Sequence, residues 1–595
     1  MPARGGEPRE FHVALTGSDG NDGGLERPLR TISAAACLAR AGDVITVHAG
    51  VYRERIDPPH GGESDERRIV YRAAVGETAE IRGSEVVTGW RSTQGGLWQV
   101  TVPNRVFGDD NPYAEVIRGD WFDPRGRTHH TGRVYVNGVP LREAARLDDV
   151  SAIEDGAWFA EVDGSSTTIW ARFGGLDPNH QTVEINVRPA VFYPSRAGIN
   201  YLTVRGFVMR HAATQWAPPT TEQIGLLGTH WSKGWLIENN IISDSRCAGL
   251  SLGKYGGSVD DVGATADRYN ETIQDALTHG WARETIGGHV VRNNVIYNCE
   301  QAGICGSLGG AFSEITGNEV HHIHVERLFG GAEMAGIKLH GAIDTEVRDN
   351  CIHHAVLGIW LDWMAQGTRC SGNLLYANSH DAFIEVSHGP YLFDNNMLLS
   401  EVSVSTMSQG GAFAHNLVAG RVIQAPDLSR FTPYLEAHST RLAGLSNVRG
   451  GDDRFLNNVF AERSGLGTYD APSAAERFPV IMRGNVFLDD ATPSQHETSP
   501  ARGGQPSDLR LSERDGQVRL QMTWDVICSE APRQEVTAGL LGQAIVPGLG
   551  FSNPDGTAVV LDHDYFGRER GEGNPVAGPL AHVVGGTLDV KVWPR

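Results

Sequence analysis

Lysine is almost missing from this chain. Among 595 residues there are four, Lys233, Lys254, Lys338 and Lys591, so nearly all of the 51 basic residues are arginine. Against 72 acidic residues they leave a formal net charge of −21. Such a surface lacks the basic footprint of a nucleic-acid binder and repels polyuronates, whereas a neutral substrate is compatible with it. Cysteine is scarce too. The seven, from Cys37 to Cys528, are odd in number and widely spaced. They read as free buried thiols in a reducing compartment, and no four-ligand zinc spacing surrounds Cys299 and Cys305. No run of 18 apolar residues occurs, which argues against a membrane-spanning helix. The opening MPARGGEPREF has no apolar core of a signal peptide, so a cytoplasmic location is expected.

Glycine is abundant instead, 73 residues without a collagen period. The length exceeds the roughly 250–300 residues of one compact core, which points to several domains or a repeat. A repeat is present from about residue 200. An Asn followed by an apolar pair recurs at Asn240, Asn294, Asn318, Asn350, Asn373 and Asn396, with echoes at Asn416, Asn458 and Asn485. A base period of about 20–25 residues with short strands signals a parallel β-helix. The asparagines are expected at sharp bends, where they tolerate left-handed backbone and can stack as a hydrogen-bonded ladder.

Four segments follow from this pattern. Residues 1–85 read as an N-terminal cap and first coil, with a capping helix opened by Thr31 and closed by Gly42. Residues 86–190 break the repeat with alternating runs joined by NG and DG turns, as an inserted β-sandwich would. Residues 191–496 are the main solenoid, and residues 497–595 a β-rich segment containing a hairpin, LRLSERDGQVRLQMTW, and a last strand, TLDVKVW. The fold class is all-β.

The repeat register places chemistry on one face. Asp362 and Glu385 each lie 12 residues after their Asn. With alternate residues pointing in and out, Ile337, Leu339, Ile359, Leu361, Ala382 and Ile384 face inward. Outward they leave a column His340–Asp362–Glu385–Ser408 beside a column Lys338–Trp360–Phe383–Thr406. Carboxylates on adjacent rungs should stand about 5 Å apart, the spacing of a retaining glycosidase pair rather than the roughly 6.5–9.5 Å of an inverting one. Like charges so close split their titrations, as one nucleophile and one general acid require. The column does not say which acid is which. Trp360 offers an apolar plane for a sugar ring.

Weaker candidates surround the pair. Glu333, in the enlarged loop ERLFGGAEMAG, could reach a substrate hydroxyl. His388 follows Glu385 in EVSHGP, and Trp121 and Trp216 lie in loops. The groups His321, His322, His324 and His353, His354 sit in bends and read as structural. Neither a metal nor a cofactor is expected. A calcium-dependent lyase would want a basic residue as proton abstractor, but Lys338 neighbours acids and reads as orienting them.

The segments AGIKLHGAID, LGIWLDWMAQGTR, EVSHGPYL, HAATQWAPPT, FYPSRAGINYLTVRGF and GGDDRFLNN carry a resemblance. From residue 11 to about 460 the chain is similar to glycoside hydrolase family 120, the β-xylosidases on a right-handed parallel β-helix with an inserted β-sandwich. The resemblance implies a retaining, exo-acting β-xylosidase on xylo-oligosaccharides, with Asp362 as nucleophile and Glu385 as acid/base. It also implies Trp121 as the sandwich-derived aromatic of the sugar pocket and Glu333 as a hydroxyl-binding glutamate. Lys338 and His340 would hold Asp362 ionised. Where related sequences can have a histidine before that glutamate, this chain has Ala332. An arabinosidase with the same acids, or a non-catalytic carbohydrate-binding β-helix, are the competing readings. Partners other than the sugar, nucleic acid or membrane included, are not expected, and the oligomeric state stays open.

Overall fold

The computed structural model describes residues 7–154, 156–261, 263–471, 476–571 and 573–595. These form two compact units. The first comprises residues 1–264, 294–309 and 322–334; the second comprises residues 265–293, 310–321 and 335–595. Among the described residues no helix is long and apolar enough to cross a membrane.

The first unit starts with the expected cap. The helix Ile32–Leu38 is opened by the Thr31 hydroxyl, which accepts from the Ala34 amide. Glu54 accepts from the next orphan donors, the amides of Ile32 and Ser33. Parallel coils follow, with Val44–Val47, Ile69–Ala73, Leu202–Arg205 and Leu236–Glu238 in one ladder. Between them lies the sandwich. Ser84–Val86, Val134–Val136, Val139–Pro140 and Val183–Asn186 make one antiparallel sheet. Arg91–Ser92, Trp98–Pro103, Ser166–Arg172 and Ala157–Val162 make a second antiparallel sheet, with Arg142–Glu143 added parallel at its edge. A core of Trp90, Val100, Tyr113, Trp158, Ile169 and Ile185 fills the space between the sheets.

In the second unit three parallel ladders run coil by coil. One holds Val290–Arg292, Glu314–Thr316, Glu346–Arg348, Thr368–Ser371, Tyr391–Asp394 and Gly411–Ala414. A second runs from Glu319–Ile323 through Cys351–His353 and Leu374–Tyr376 to Val486–Phe487. The third holds Ala335–His340, Leu357–Asp362, His380–Glu385, Val402–Thr406 and Arg421–Gln424.

The asparagines form the expected ladder. Asn318 donates its side-chain amide to Asn350 Oδ1 at 3.0 Å, and the bond is repeated through Asn373, Asn396, Asn416, Asn458 and Asn485. Asn485 ends it by donating to Glu497. All of these asparagines are buried. The left-handed residue is not the ladder Asn but the one before it: Asp349, Asn395, His415 and Asn457, with glycine at Gly317, Gly372 and Gly484. The corner needs positive φ one residue early, which frees the Asn side chain to point inward.

The C-terminal segment makes its own antiparallel sheet, Arg510–Arg514, Gln517–Trp524 and Gly586–Trp593. It packs through Leu520, Met522, Trp524 and Val592 on the coil residues Cys351, Leu374, Met397, Leu417 and Val459. All seven cysteines are free and six are buried; Cys37 is exposed, contrary to expectation.

Candidate active site

The third ladder of the second unit carries the expected acids in register. His340 is the Cα partner of Asp362, and Asp362 is the partner of Glu385. The six inward residues are buried, between 0% and 1% exposed. Alternation therefore forces Lys338, His340, Trp360, Asp362, Phe383 and Glu385 onto the other face. One rung further the expectation fails. Phe383 pairs with Ser405 and Ile384 with Thr406, so Thr406 is an inward residue and the outward columns do not continue to Thr406 and Ser408. Ser408 instead turns back, accepting from the Ser387 amide and donating to the Ile384 carbonyl.

Asp362 is buried and held from one side. Lys338 Nζ donates to its Oδ2 at 2.8 Å, and His340 Nε2 lies 3.3 Å from the same oxygen. Burial pushes the carboxyl pKa up, but the pull of His340 and Lys338, the Lys338 hydrogen bond and the Arg430 charge outweigh it, and the net direction is down. The carboxylate is thus ionised in a dry place. Its other oxygen, Oδ1, is buried with no hydrogen-bond partner among the described residues. An ionised carboxylate with one oxygen tethered and one bare is what an attacking group needs.

The face extends beyond the ladder. Tyr269, on the helix Ala266–Thr278, sets its ring against the edges of His340 (4.9 Å between centroids) and Trp363 (5.0 Å). A hairpin of Phe431–Leu435 and Leu442–Asn447 brings Arg430, whose Nη1 donates to Glu385 Oε1 at 3.3 Å and whose guanidinium lies over Trp363. Tyr269 and Arg430 escaped the sequence reading because neither lies in the repeat.

Two expected sugar contacts, Trp360 and His388, lie against protein neighbours. The Trp360 ring sits between Lys338, 2.9 Å from its centroid, and Phe383, 5.2 Å away. Lys338 lies over its plane and the Phe383 ring meets it at a tilt of 41°. His388 is buried, and burial pushes its pKa down to about 4. Gln409 donates to its Nδ1 at 2.7 Å, which leaves the proton on Nε2, facing the Thr432 carbonyl at 3.1 Å. The neutral ring pins the hairpin that carries Arg430, as does Gln366 through the backbone of Leu435.

Trp121 and Glu333 belong to the first unit. Trp121 is half-buried, outside the sandwich core, with φ of 58°. Its carbonyl accepts from the Ala332 amide, and Phe122–Asp123 pairs with Gly330–Gly331. The sandwich loop and the Glu333 loop are thus laced together by backbone. A Cβ on Gly331, at φ of 155°, would come 2.5 Å from the Trp216 ring and 2.6 Å from the Trp121 carbonyl, so this crossing requires glycine. Trp216 is the buried anchor beneath it, bonded through Nε1 to the Asp120 carbonyl. Glu333 is 4% exposed.

Comparison with known proteins agrees with this architecture. A family model for the insertion domain of glycoside hydrolase 120 matches residues 87–185, and one for a right-handed β-helix region matches residues 224–418. Among solved structures the chain is similar to XylC, determined in complex with xylose. The two share 40% identity over 98% of this chain and 100% of that chain, with a TM-score of 0.95. An uncharacterized protein of Bacillus subtilis (strain 168), YwoF, is 36% identical over 76 residues, 13% of this chain and 16% of that protein. Matched end to end by a relative of 40% identity, and carrying the family's own insertion as its sandwich, the chain belongs to glycoside hydrolase family 120, the β-xylosidases that its sequence resembles.

Proposed function

We propose that this glycoside hydrolase removes single xylose units from short xylo-oligosaccharides with retention of configuration. Asp362 Oδ1 attacks the anomeric carbon while Glu385 gives its proton to the departing glycosidic oxygen. A xylosyl ester of Asp362 results. Glu385, now a carboxylate, takes a proton from water, whose oxygen displaces Asp362 and releases β-xylose. The observation that carries this reading is the register pairing of two carboxylates on one face: Asp362 is clamped by Lys338 and His340, and Glu385, one rung on, meets Arg430. Trp121 and Glu333 take the roles the resemblance gives them, aromatic platform and hydroxyl acceptor. XylC with xylose supports a pentose as the bound sugar.

Proton NMR of the first product tests the mechanism. β-Xylose should form before mutarotation, from xylobiose and from the non-reducing end of longer chains; α-xylose as first product would overturn the retaining reading. A panel of aryl glycosides separates the second reading, an arabinosidase, which would favour the α-L-arabinofuranoside.

Arg430 permits a separate prediction. Its charge beside Glu385 favours the ionised carboxylate, which cannot protonate a leaving group. Arg430→Gln should therefore raise the Glu385 pKa and move the basic limb of the kcat/KM profile to higher pH, by about one unit. A profile superimposable on that of the parent enzyme would show that Arg430 does not act on the acid.

A further inference from the structure

The histidine stack of the second ladder lies apart from the catalytic ladder. His321, His353 and Tyr376 are register partners on successive coils. Their rings stack, 5.1 Å and 13° between the histidines and 4.8 Å and 6° between His353 and Tyr376. The His353 imidazole is thus buried and fixed in plane. On one side its Nε2 lies 3.6 Å from Glu319 Oε1. On the other its Nδ1 lies 2.8 Å from the Nδ1 of His354, which the left-handed corner, φ 53°, turns outward.

The third group comes from the C-terminal sheet. Glu513 lies on the strand Arg510–Arg514, two residues from Leu511 and hence on the same face. Leu511 packs against the cluster that holds Cys351, Leu374 and Tyr376. This brings one ligand atom each of His353, His354 and Glu513 within 4.8 Å of one another. His354 and Glu513 are exposed and have the rotamer freedom to close further.

We propose that His353, His354 and Glu513 bind a zinc-type divalent transition metal that ties the C-terminal sheet to the coil. Two imidazole nitrogens and one carboxylate favour zinc, cobalt, nickel or copper over magnesium or calcium, which want oxygen ligands. Three protein ligands leave a fourth, tetrahedral position for water. Glu319 stands on the second nitrogen of His353 as an orienting carboxylate, the outer-shell partner that raises the basicity of a ligating imidazole. The sequence shows the His353–His354 pair but not Glu513, which is distant in the chain and comes from the non-repeating segment.

Calorimetric titration of the chelator-treated full-length enzyme with zinc chloride, with thermal melting alongside, tests the site. One zinc per chain should bind, and saturating zinc should raise the melting temperature by about 2–5 °C. Glu513→Gln and His354→Asn should each weaken binding at least tenfold and cancel the thermal shift, while the turnover of an aryl xyloside stays at the parent value. Asparagine tolerates the left-handed corner, and Glu513 is exposed, so both variants keep the fold. Absence of saturable binding in the parent enzyme, or an unchanged Kd in either variant, would overturn the proposal.

Discussion

Asp362→Ala should abolish turnover on every glycoside, by on the order of 10⁴–10⁶-fold. Glu385→Ala should lose about 10²–10⁴-fold on natural substrates but keep its first step with a nitrophenyl xyloside, because nitrophenolate departs without a proton. The two variants then diverge in azide. In Glu385→Ala the xylosyl ester of Asp362 still forms, and azide displaces it from the face that water uses. Two inversions give β-xylosyl azide plus nitrophenolate. In Asp362→Ala no ester forms, and azide in the vacated space gives the α-azide by a single inversion. Product configuration thus assigns each carboxylate separately. A β-azide from Asp362→Ala would exchange the two roles.

Lys338→Met should be the next most damaging change. The variant keeps side-chain length and removes the charge that touches Asp362 Oδ2. Breaking a buried ion pair by deleting one member costs about 3–5 kcal/mol, because the other charge stays buried and uncompensated. Burial is the largest influence on Asp362 and acts upward. With the lysine gone, the acid limb of kcat/KM should move up by at least about one unit, and activity on that limb should fall by at least about tenfold. The stability argument has a definite sign. In the parent enzyme the lowered pKa of Asp362 contributes stability above the unfolded value of 3.8, lost as pH falls through the lower folded value. In the variant the folded pKa lies above the unfolded one, so the penalty is present at neutral pH and relieved on acidification. Melting temperature measured against pH checks this. Parallel curves for the two proteins would mean that Lys338 does not hold Asp362 ionised.

The coils, the inserted sandwich and the C-terminal hairpin could be read from the sequence, whereas side chains that reach the site from outside the period could not. Asn350 and Asn373 fix two corners, and counting the same distance from each finds Asp362 and Glu385 as true register partners. Extending the count one coil further failed because corner and strand are not locked together. Asn396 keeps the ladder bond, yet the strand after it meets its neighbour one residue earlier than the corner spacing implies. A connection between corner and strand can shorten without disturbing either ladder. Arg430 and Tyr269 illustrate the other failure. They reach the site from a hairpin and a helix outside the period, and no local pattern marks them. His388 and Trp360, in the segments of the two paired acids, are held by neighbours that the sequence does not reveal. Their chemistry suits a sugar, but both His388 ring nitrogens are bonded to protein and the Trp360 ring lies against Lys338 and Phe383.

The column of buried asparagines also has a direction. Each amide from Asn318 to Asn458 donates one hydrogen to the Asn of the following coil and the other to a backbone carbonyl of the preceding coil, so the Asn-to-Asn bonds all run the same way along the solenoid axis. Such a one-way series, like the backbone bonds of a helix, has an unsatisfied end. An Asn at that end would only pass the open donor on. Glu497 accepts from Asn485 through a carboxyl oxygen and terminates the series. A solenoid ended at another coil would therefore need an acceptor for its last asparagine. Transplanting the Glu497 segment behind an earlier Asn is therefore the route to a shortened solenoid that keeps the coils of Asp362 and Glu385.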